Sequence, residues 1–135
     1  MEEIEKNEEK ARMSAKFSFE NIKETLEKYH TNEEGEYDED YTNEDVLEEI
    51  LEMPLEVSVR SGWQSIGEEL KPEEYLILLT TGGPAVRIVG DLDSYGCPSR
   101  ARIQYQDWGT PWKEYVMSHE EYSVLEEFAR IVIPC

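Results

Sequence analysis

The chain has 135 residues, of which 32 are Asp or Glu and 13 are Lys or Arg, for a net charge of −19. That length suits one domain with one modest core. Such acidity disfavours direct contact with DNA, RNA or anionic membranes and favours partners whose working surface is basic. No run of about eighteen apolar residues is present to span a bilayer, and Met1-Glu2-Glu3-Ile4-Glu5 lacks the basic start and apolar stretch of a secretory signal. These features predict a cytoplasmic protein, with Cys97 and Cys135 reduced and too few cysteines for a disulfide framework.

The charge is unevenly placed. Met1 to Glu56 holds twenty acidic and six basic residues, a net of −14, whereas Val57 to Cys135 holds twelve and seven, a net of −5. Residues 1–53 read as an acidic helical segment and residues 54–135 as an antiparallel sheet plus a helix, within one compact domain.

Residues 1–16 are charged with sparse apolar positions, either a frayed helix or disorder. Ser18 is a candidate N-cap with Glu20 in the first turn, and Phe19, Ile22, Leu26 and Tyr29 follow as one helical stripe ending near His30. Glu33 to Tyr41 carries six acids and no basic residue, so self-repulsion favours an extended, solvated loop. A second helix starts at Thr42, where Thr42 and Asp45 approach a capping box; Val46, Leu47, Ile50 and Leu51 form its inner face, and Pro54 stops it.

The period then changes from helical to two. Leu55–Arg60 alternates as a half-buried strand. After a loop carrying Trp63, Tyr75–Thr80 is continuously apolar, as a strand covered on both faces is. Thr81-Gly82-Gly83-Pro84 leads into Ala85–Val89 as a hairpin. Beyond the Asp91–Pro98 turn, Arg100, Arg102, Gln104 and Gln106 share one strand face, with Ala101, Ile103 and Tyr105 on the other. Ser118 and Glu121 form a capping box for a third helix with Tyr122, Leu125, Phe128 and Ala129 inward, and Ile131–Ile133 reads as a closing edge strand. The sum is an α+β fold: two N-terminal helices, an antiparallel sheet of three to five strands, and a C-terminal helix packed on the sheet.

Several patterns invite a chemical reading. Thr80–Pro84 resembles a phosphate cradle, but a P-loop needs a lysine and a following helix, so a hairpin turn is the better account. Asp91, Asp93 and Asp107 together have the hard oxygen chemistry of a divalent-cation site, which is the enzyme alternative; aspartates before a Gly/Pro turn also cap their own backbone. Cys97 with His119 as base is a weaker nucleophile reading. Trp63, Trp108 and Trp112 lie in loops, either as covers for the sheet ends or as an aromatic contact patch. Arg87, Arg100 and Arg102 either pair with acids across strands or bind the acidic front back onto the sheet.

The strings Leu78-Leu-Thr-Thr-Gly-Gly-Pro-Ala-Val-Arg-Ile88, Gly90-Asp-Leu92, Arg100-Ala-Arg102 and Tyr105-Gln-Asp-Trp-Gly-Thr-Pro-Trp112 resemble the shared core of a family of uncharacterised small proteins of bacterial plasmids, integrative elements and phages. The resemblance covers roughly residues 54–115. It implies a genomic context in which acidic accessory proteins are often antagonists of host defence, of the anti-CRISPR or anti-restriction kind. The expectation is an acidic binding protein, without enzymatic activity or cofactor, that inhibits a nucleic-acid-handling defence enzyme in a bacterial cytoplasm. Its contact residues would be Glu33, Glu34, Glu36, Asp38, Glu39, Asp40, Glu44, Asp45, Glu48 and Glu49, with Trp63, Trp108 and Trp112 as anchors. Monomer and homodimer both fit, and so does an adaptor or antitoxin-like protein whose N-terminal helices fold on a partner.

Overall fold

The computed structural model describes residues 2–33 and 42–135. The described residues form an α+β fold in the order α1 (Glu2–Glu33), α2 (Asn43–Glu52), β1 (Glu56–Ser61), β2 (Pro72–Thr80), β3 (Ala85–Leu92), β4 (Pro98–Gln106), β5 (Lys113–Glu114) and α3 (His119–Val132). The strands pair antiparallel in chain order, β1-β2-β3-β4-β5, as a meander.

α1 is one helix of 32 residues, not a short helix starting at Ser18. Ser18 lies in its interior. The apolar stripe starts earlier than Phe19, at Ala11 and Ala15, both fully buried, and continues through Phe19, Ile22 and Leu26. The offsets of four, four, three and four keep these residues on one face. The small alanines allow a close approach to the layer beneath, so the upstream half of the helix is held by packing. The helix also continues through Thr31 to Glu33, beyond the end expected near His30.

α2 and α3 begin where their caps predict. The Thr42 amide donates to Asp45 Oδ2 at 2.9 Å and the Asp45 amide donates to Thr42 Oγ1 at 3.3 Å. At α3 the Ser118 amide donates to Glu121 Oε1 at 3.0 Å and the Glu121 amide to Ser118 Oγ at 3.2 Å. Each box satisfies amides that a helix start leaves without intrahelical partners. Leu51, expected inward on α2, is half exposed, while Val46 and Ile50 are fully buried. Residues 131 and 132 complete α3 and form no edge strand. The last strand of the sheet is β5, which pairs with β4 through Gln104–Glu114 and Tyr105–Lys113.

α1 and α3 lie on one face of the sheet, and α2 packs against both of them. Tyr75, Ile77 and Leu79 of β2, Val86 and Ile88 of β3, and Ala101 and Ile103 of β4 point into them and join Phe19, Ile22, Leu26, Val46, Ile50, Leu125, Phe128 and Ala129 in a single core. Residues from both the acidic segment and the sheet segment therefore share one hydrophobic interior. Gly90 is part of this fit, because a Cβ there would collide with the Tyr75 ring and the Ser99 carbonyl.

Two expectations about coverage fail. β2 is covered on one face only, so Leu76 and Leu78 are half-buried while Ile77 is fully enclosed. β1 is not half-buried: Leu55, Val57 and Val59 share the helix-facing side, yet are 59%, 42% and 51% exposed. The helical layer centres on β3 and β4 and stops short of this edge, leaving an uncovered apolar strip.

The thiols are not free. Cys97, in the turn between β3 and β4, is bonded to Cys135 beyond α3, with Cα atoms 5.0 Å apart. Arg130 of α3 reinforces the same junction, its Nε donating to the Pro98 carbonyl at 3.0 Å. Among the described residues, no helix is long and apolar enough to cross a membrane.

Candidate binding surfaces

Two differently charged surfaces lie on opposite sides of the molecule. The first is the outer side of α2. Glu44, Glu48 and Glu52 stand four residues apart in one row, with Asp45 and Glu49 in the next, at the spacing of about 5–6 Å between neighbours on a helix face. Asp45 is committed to the cap. Glu44, Glu48, Glu49 and Glu52 form no ion pair among the described residues, and Lys and Arg are absent between Lys28 and Arg60. Leu51 lies on the same outward side, three residues after Glu48.

α1 and α3 differ from α2 because their acids are interleaved with bases. Glu9 pairs with Arg12 at 3.3 Å, Glu8 with Lys113 of β5 at 2.9 Å, and Glu126 with Arg130 at 2.9 Å. His30 Nε2 lies 2.7 Å from Glu127 Oε1 across the α1–α3 junction. The Glu8 carboxylate holds the Lys113 ammonium above its ordinary pKa. Of the other expected acidic contacts, Glu33 ends α1, and Glu34, Glu36, Asp38, Glu39 and Asp40 lie outside the described residues, as does the expected extended loop.

The tryptophans do not form one patch. Trp63 follows β1 and is fully exposed, so it covers nothing. Trp108 and Trp112 follow β4, at the opposite end of the strands. Trp108 is exposed in its turn, whereas Trp112 is half-buried with the Arg87 guanidinium 4.0 Å from its ring centroid.

The second surface is the open face of the sheet. The register aligns three rows across it: Glu56–Leu78–Arg87–Gln104–Glu114, Ser58–Leu76–Val89–Arg102, and Arg60–Glu74–Asp91–Ser99. Residues directly opposite on paired strands share a face. Leu76 and Val89 therefore form a central apolar floor, and Arg60, Arg87 and Arg102 stand around it. Together with Ser58, Glu74 and Gln104 they line a cleft of about 300 Å³.

The arginines are held differently. Arg60 donates to Glu74 at 2.9 Å, which holds the Glu74 carboxyl below its usual range. Arg87 Nε donates to Gln104 Oε1 at 2.9 Å. Burial lowers the Arg87 pKa, and the positive charge of Arg60 lowers it further. Arg100 sits at a bulge in the left-handed region, φ 52°, and reaches Asp91 at 3.7 Å. Arg102 forms no ion pair among the described residues. The arginines therefore do not bind the acidic front, which packs on the other side of the sheet. Arg60 pairs with Glu74 as a cross-strand partner. The alternation of Arg100–Gln106 signals a polar face, but Leu76, Val89 and Arg60 join it only through the register of three strand pairs.

The aspartates expected at a metal are divided. Asp91 and Asp93 lie where β3 turns into β4, and Asp107 lies past the other end of β4, roughly 25–30 Å away at about 3.3 Å per residue. Asp93 Oδ1 accepts from the amides of Tyr95 and Cys97, both at 2.9 Å, and these bonds, Cys97 first, lower its pKa. It thus caps its own turn. Among the described residues no cluster of three or more His, Cys, Asp or Glu side chains is placed to hold a metal. Cys97 has its sulfur in the disulfide, so it offers no thiolate to His119.

No family model, no curated protein and no solved structure matches this chain.

Proposed function

We propose that this protein is an acidic binding protein, not an enzyme, that occupies the basic nucleic-acid-binding surface of another protein. The observation that carries this reading is α2: a short, well-capped helix that contains no basic residue of its own, with Lys28 of α1 beside Glu49 and Glu52 at one margin of its carboxylates. Isolated acids on a solvated surface serve solubility. A rigid row of them has a further property, because its spacing, about 5–6 Å along the row, is of the same order as that of phosphates along a strand. Arginines and lysines that neutralise phosphates would meet carboxylates instead. Leu51 on α2, and Leu55, Val57 and Val59 on the uncovered margin of the sheet, supply apolar area for the contact.

In its finer form the target is a nucleic-acid-handling defence enzyme of a bacterial host, and the protein belongs to a phage or mobile element. That form rests on the resemblance of residues 54–115 to mobile-element proteins. It places the protein in the bacterial cytoplasm, where a disulfide is uncommon. The thiol state of Cys97 and Cys135 in freshly lysed cells therefore bears on this placement directly.

Titration against a guide-loaded CRISPR nuclease and against a restriction complex, each at about 50 and 200 mM salt, tests the reading. A complex held by these charge contacts weakens as salt rises over that range. Replacing Glu44, Glu48, Glu49 and Glu52 with glutamine removes the complex while leaving the helical spectrum unchanged. A complex insensitive to both salt and these substitutions, or no complex with any nucleic-acid-handling enzyme, refutes the proposal.

A further inference from the structure

We infer that the open face of the sheet is a binding site for a small phosphorylated molecule with a flat apolar body, of mononucleotide size. This site is separate from the α2 surface and lies on the other side of the sheet. In a chain with a net charge of −19, three guanidinium groups gather around one half-buried apolar floor. Cross-strand order places Arg60 on β1, Arg87 on β3 and Arg102 on β4 around Leu76 and Val89, so an oxyanion above the floor meets cations from three directions.

The pocket is partly assembled in advance. Trp112 stacks against Arg87 at 4.0 Å and Gln104 accepts from its Nε, which fixes the plane of the guanidinium and leaves its terminal N–H groups to donate. Among the described residues, Arg102 has its full set of donors uncommitted. Arg60 uses one terminal nitrogen for Glu74 and keeps others. Planar forks of this kind match the paired oxygens of phosphate. Burial first, and then the like charge of Arg60, lower the proton affinity of Arg87, so some repulsion is already present. A bound anion relieves that repulsion.

The surroundings set the size of the ligand. Glu56 and Glu114 end one row of the same face, and Glu74 and Asp91 lie in another. A polyanion crossing the arginines would run onto these carboxylates, within the screening length of about 8 Å at physiological salt. Of these carboxylates only Glu74 lines the cleft, where Arg60 already pairs with it, so a single phosphate between Arg87 and Arg102 stays clear of the others. The cleft of about 300 Å³ lies at the small end of ligand pockets, and Leu76 and Val89 offer apolar contact to the body of the molecule.

Calorimetric titration of the full chain with adenosine monophosphate, inorganic phosphate and a single-stranded oligonucleotide tests this inference. The expected result is saturable one-to-one binding of the mononucleotide, at least about tenfold weaker binding of inorganic phosphate, which lacks the body, and no advantage for the oligonucleotide. Arg102→Ala, an exposed change, and Arg87→Ala each weaken the mononucleotide about tenfold or more, whereas Lys10→Ala on α1 leaves it unchanged. Circular dichroism establishes that each variant is folded. No saturable binding below about 10 mM, or binding that survives Arg87→Ala with Arg102→Ala, overturns the inference. Tighter binding of the oligonucleotide overturns the size restriction. The α2 variant with four glutamines should bind the mononucleotide normally, so failure of either proposal is distinguishable from failure of the other.

Discussion

Ile77 and Leu76 are neighbours on β2 with nearly equal apolar volume, yet Ile77 is sealed in the core beneath the helical layer and Leu76 faces outward among arginines. The whole sheet repeats this contrast. Its helix-facing side is built from apolar residues that join α1, α2 and α3 in one core, and its open side collects Arg60, Arg87 and Arg102. A strand alternates its side chains between faces, so the same eight or nine residues serve a core and a charged surface at once. The lesson concerns charge as well as packing. The sheet holds the acidic α2 and the arginine-rich face on opposite sides, so neither neutralises the other.

The largest expected effect separates the two faces. Ile77→Ala should destabilise the fold by about 2–5 kcal/mol, through lost burial and the cavity left behind. Leu76→Ala should cost under about 1 kcal/mol, because its site already opens to solvent. Chemical denaturation of both variants makes the comparison, and equal losses would mean that the open face is covered in solution.

The tie between the layers comes next. The bond between Cys97 and Cys135 spans 38 residues and joins the end of α3 to the β3–β4 turn. Its reduction, or Cys97→Ser with Cys135→Ser, should lower stability by about 2–4 kcal/mol. A loss below about 0.5 kcal/mol would show that Arg130 and the core hold α3 on the sheet without it.

The smallest effect sharpens the contrast at one side chain. The Tyr75 hydroxyl is buried and has no hydrogen-bond partner among the described residues. Burial raises its pKa above the ordinary value of about 10. The folded chain therefore keeps this proton at a pH where the unfolded chain releases it. The stabilisation is complete below about pH 10 and declines as pH rises further. Tyr75→Phe should flatten that alkaline decline and change stability at neutral pH by no more than about 1 kcal/mol. An unchanged alkaline limb in thermal melts would assign the loss to other groups.

Local signals are legible wherever a short segment contains its own explanation. Both capping boxes, the β2–β3 hairpin at Thr80–Pro84 and the polar face of β4 follow from neighbours within a few residues. Most of the inward face of α3 is equally readable: Leu125, Phe128 and Ala129 are buried, whereas Tyr122, also expected inward, is only half-buried and its hydroxyl accepts from the Met117 amide. Signals spread over longer distances are not. Ala11 and Ala15 are weakly apolar, so the upstream half of α1 shows no clear stripe in the sequence, and only the sheet lying against them gives it one. Ile131 to Ile133 has the composition of a strand, but residues 131 and 132 continue the hydrogen-bonded helix already started at Ser118. Of the expected contact residues, α2 presents Glu44, Glu48 and Glu49 outward, while the tryptophans part to opposite ends of the sheet.

By itself, the sequence determined the α+β class, the starts of α2 and α3, the strand periods and the charge gradient, because each depends on contacts close along the chain. Only the tertiary structure decided how far α1 extends, which strand edge stays bare, that Cys97 meets Cys135, and that three distant arginines surround Leu76 and Val89. Those outcomes depend on register and layer coverage, which arise between segments and leave no periodic mark within any one of them.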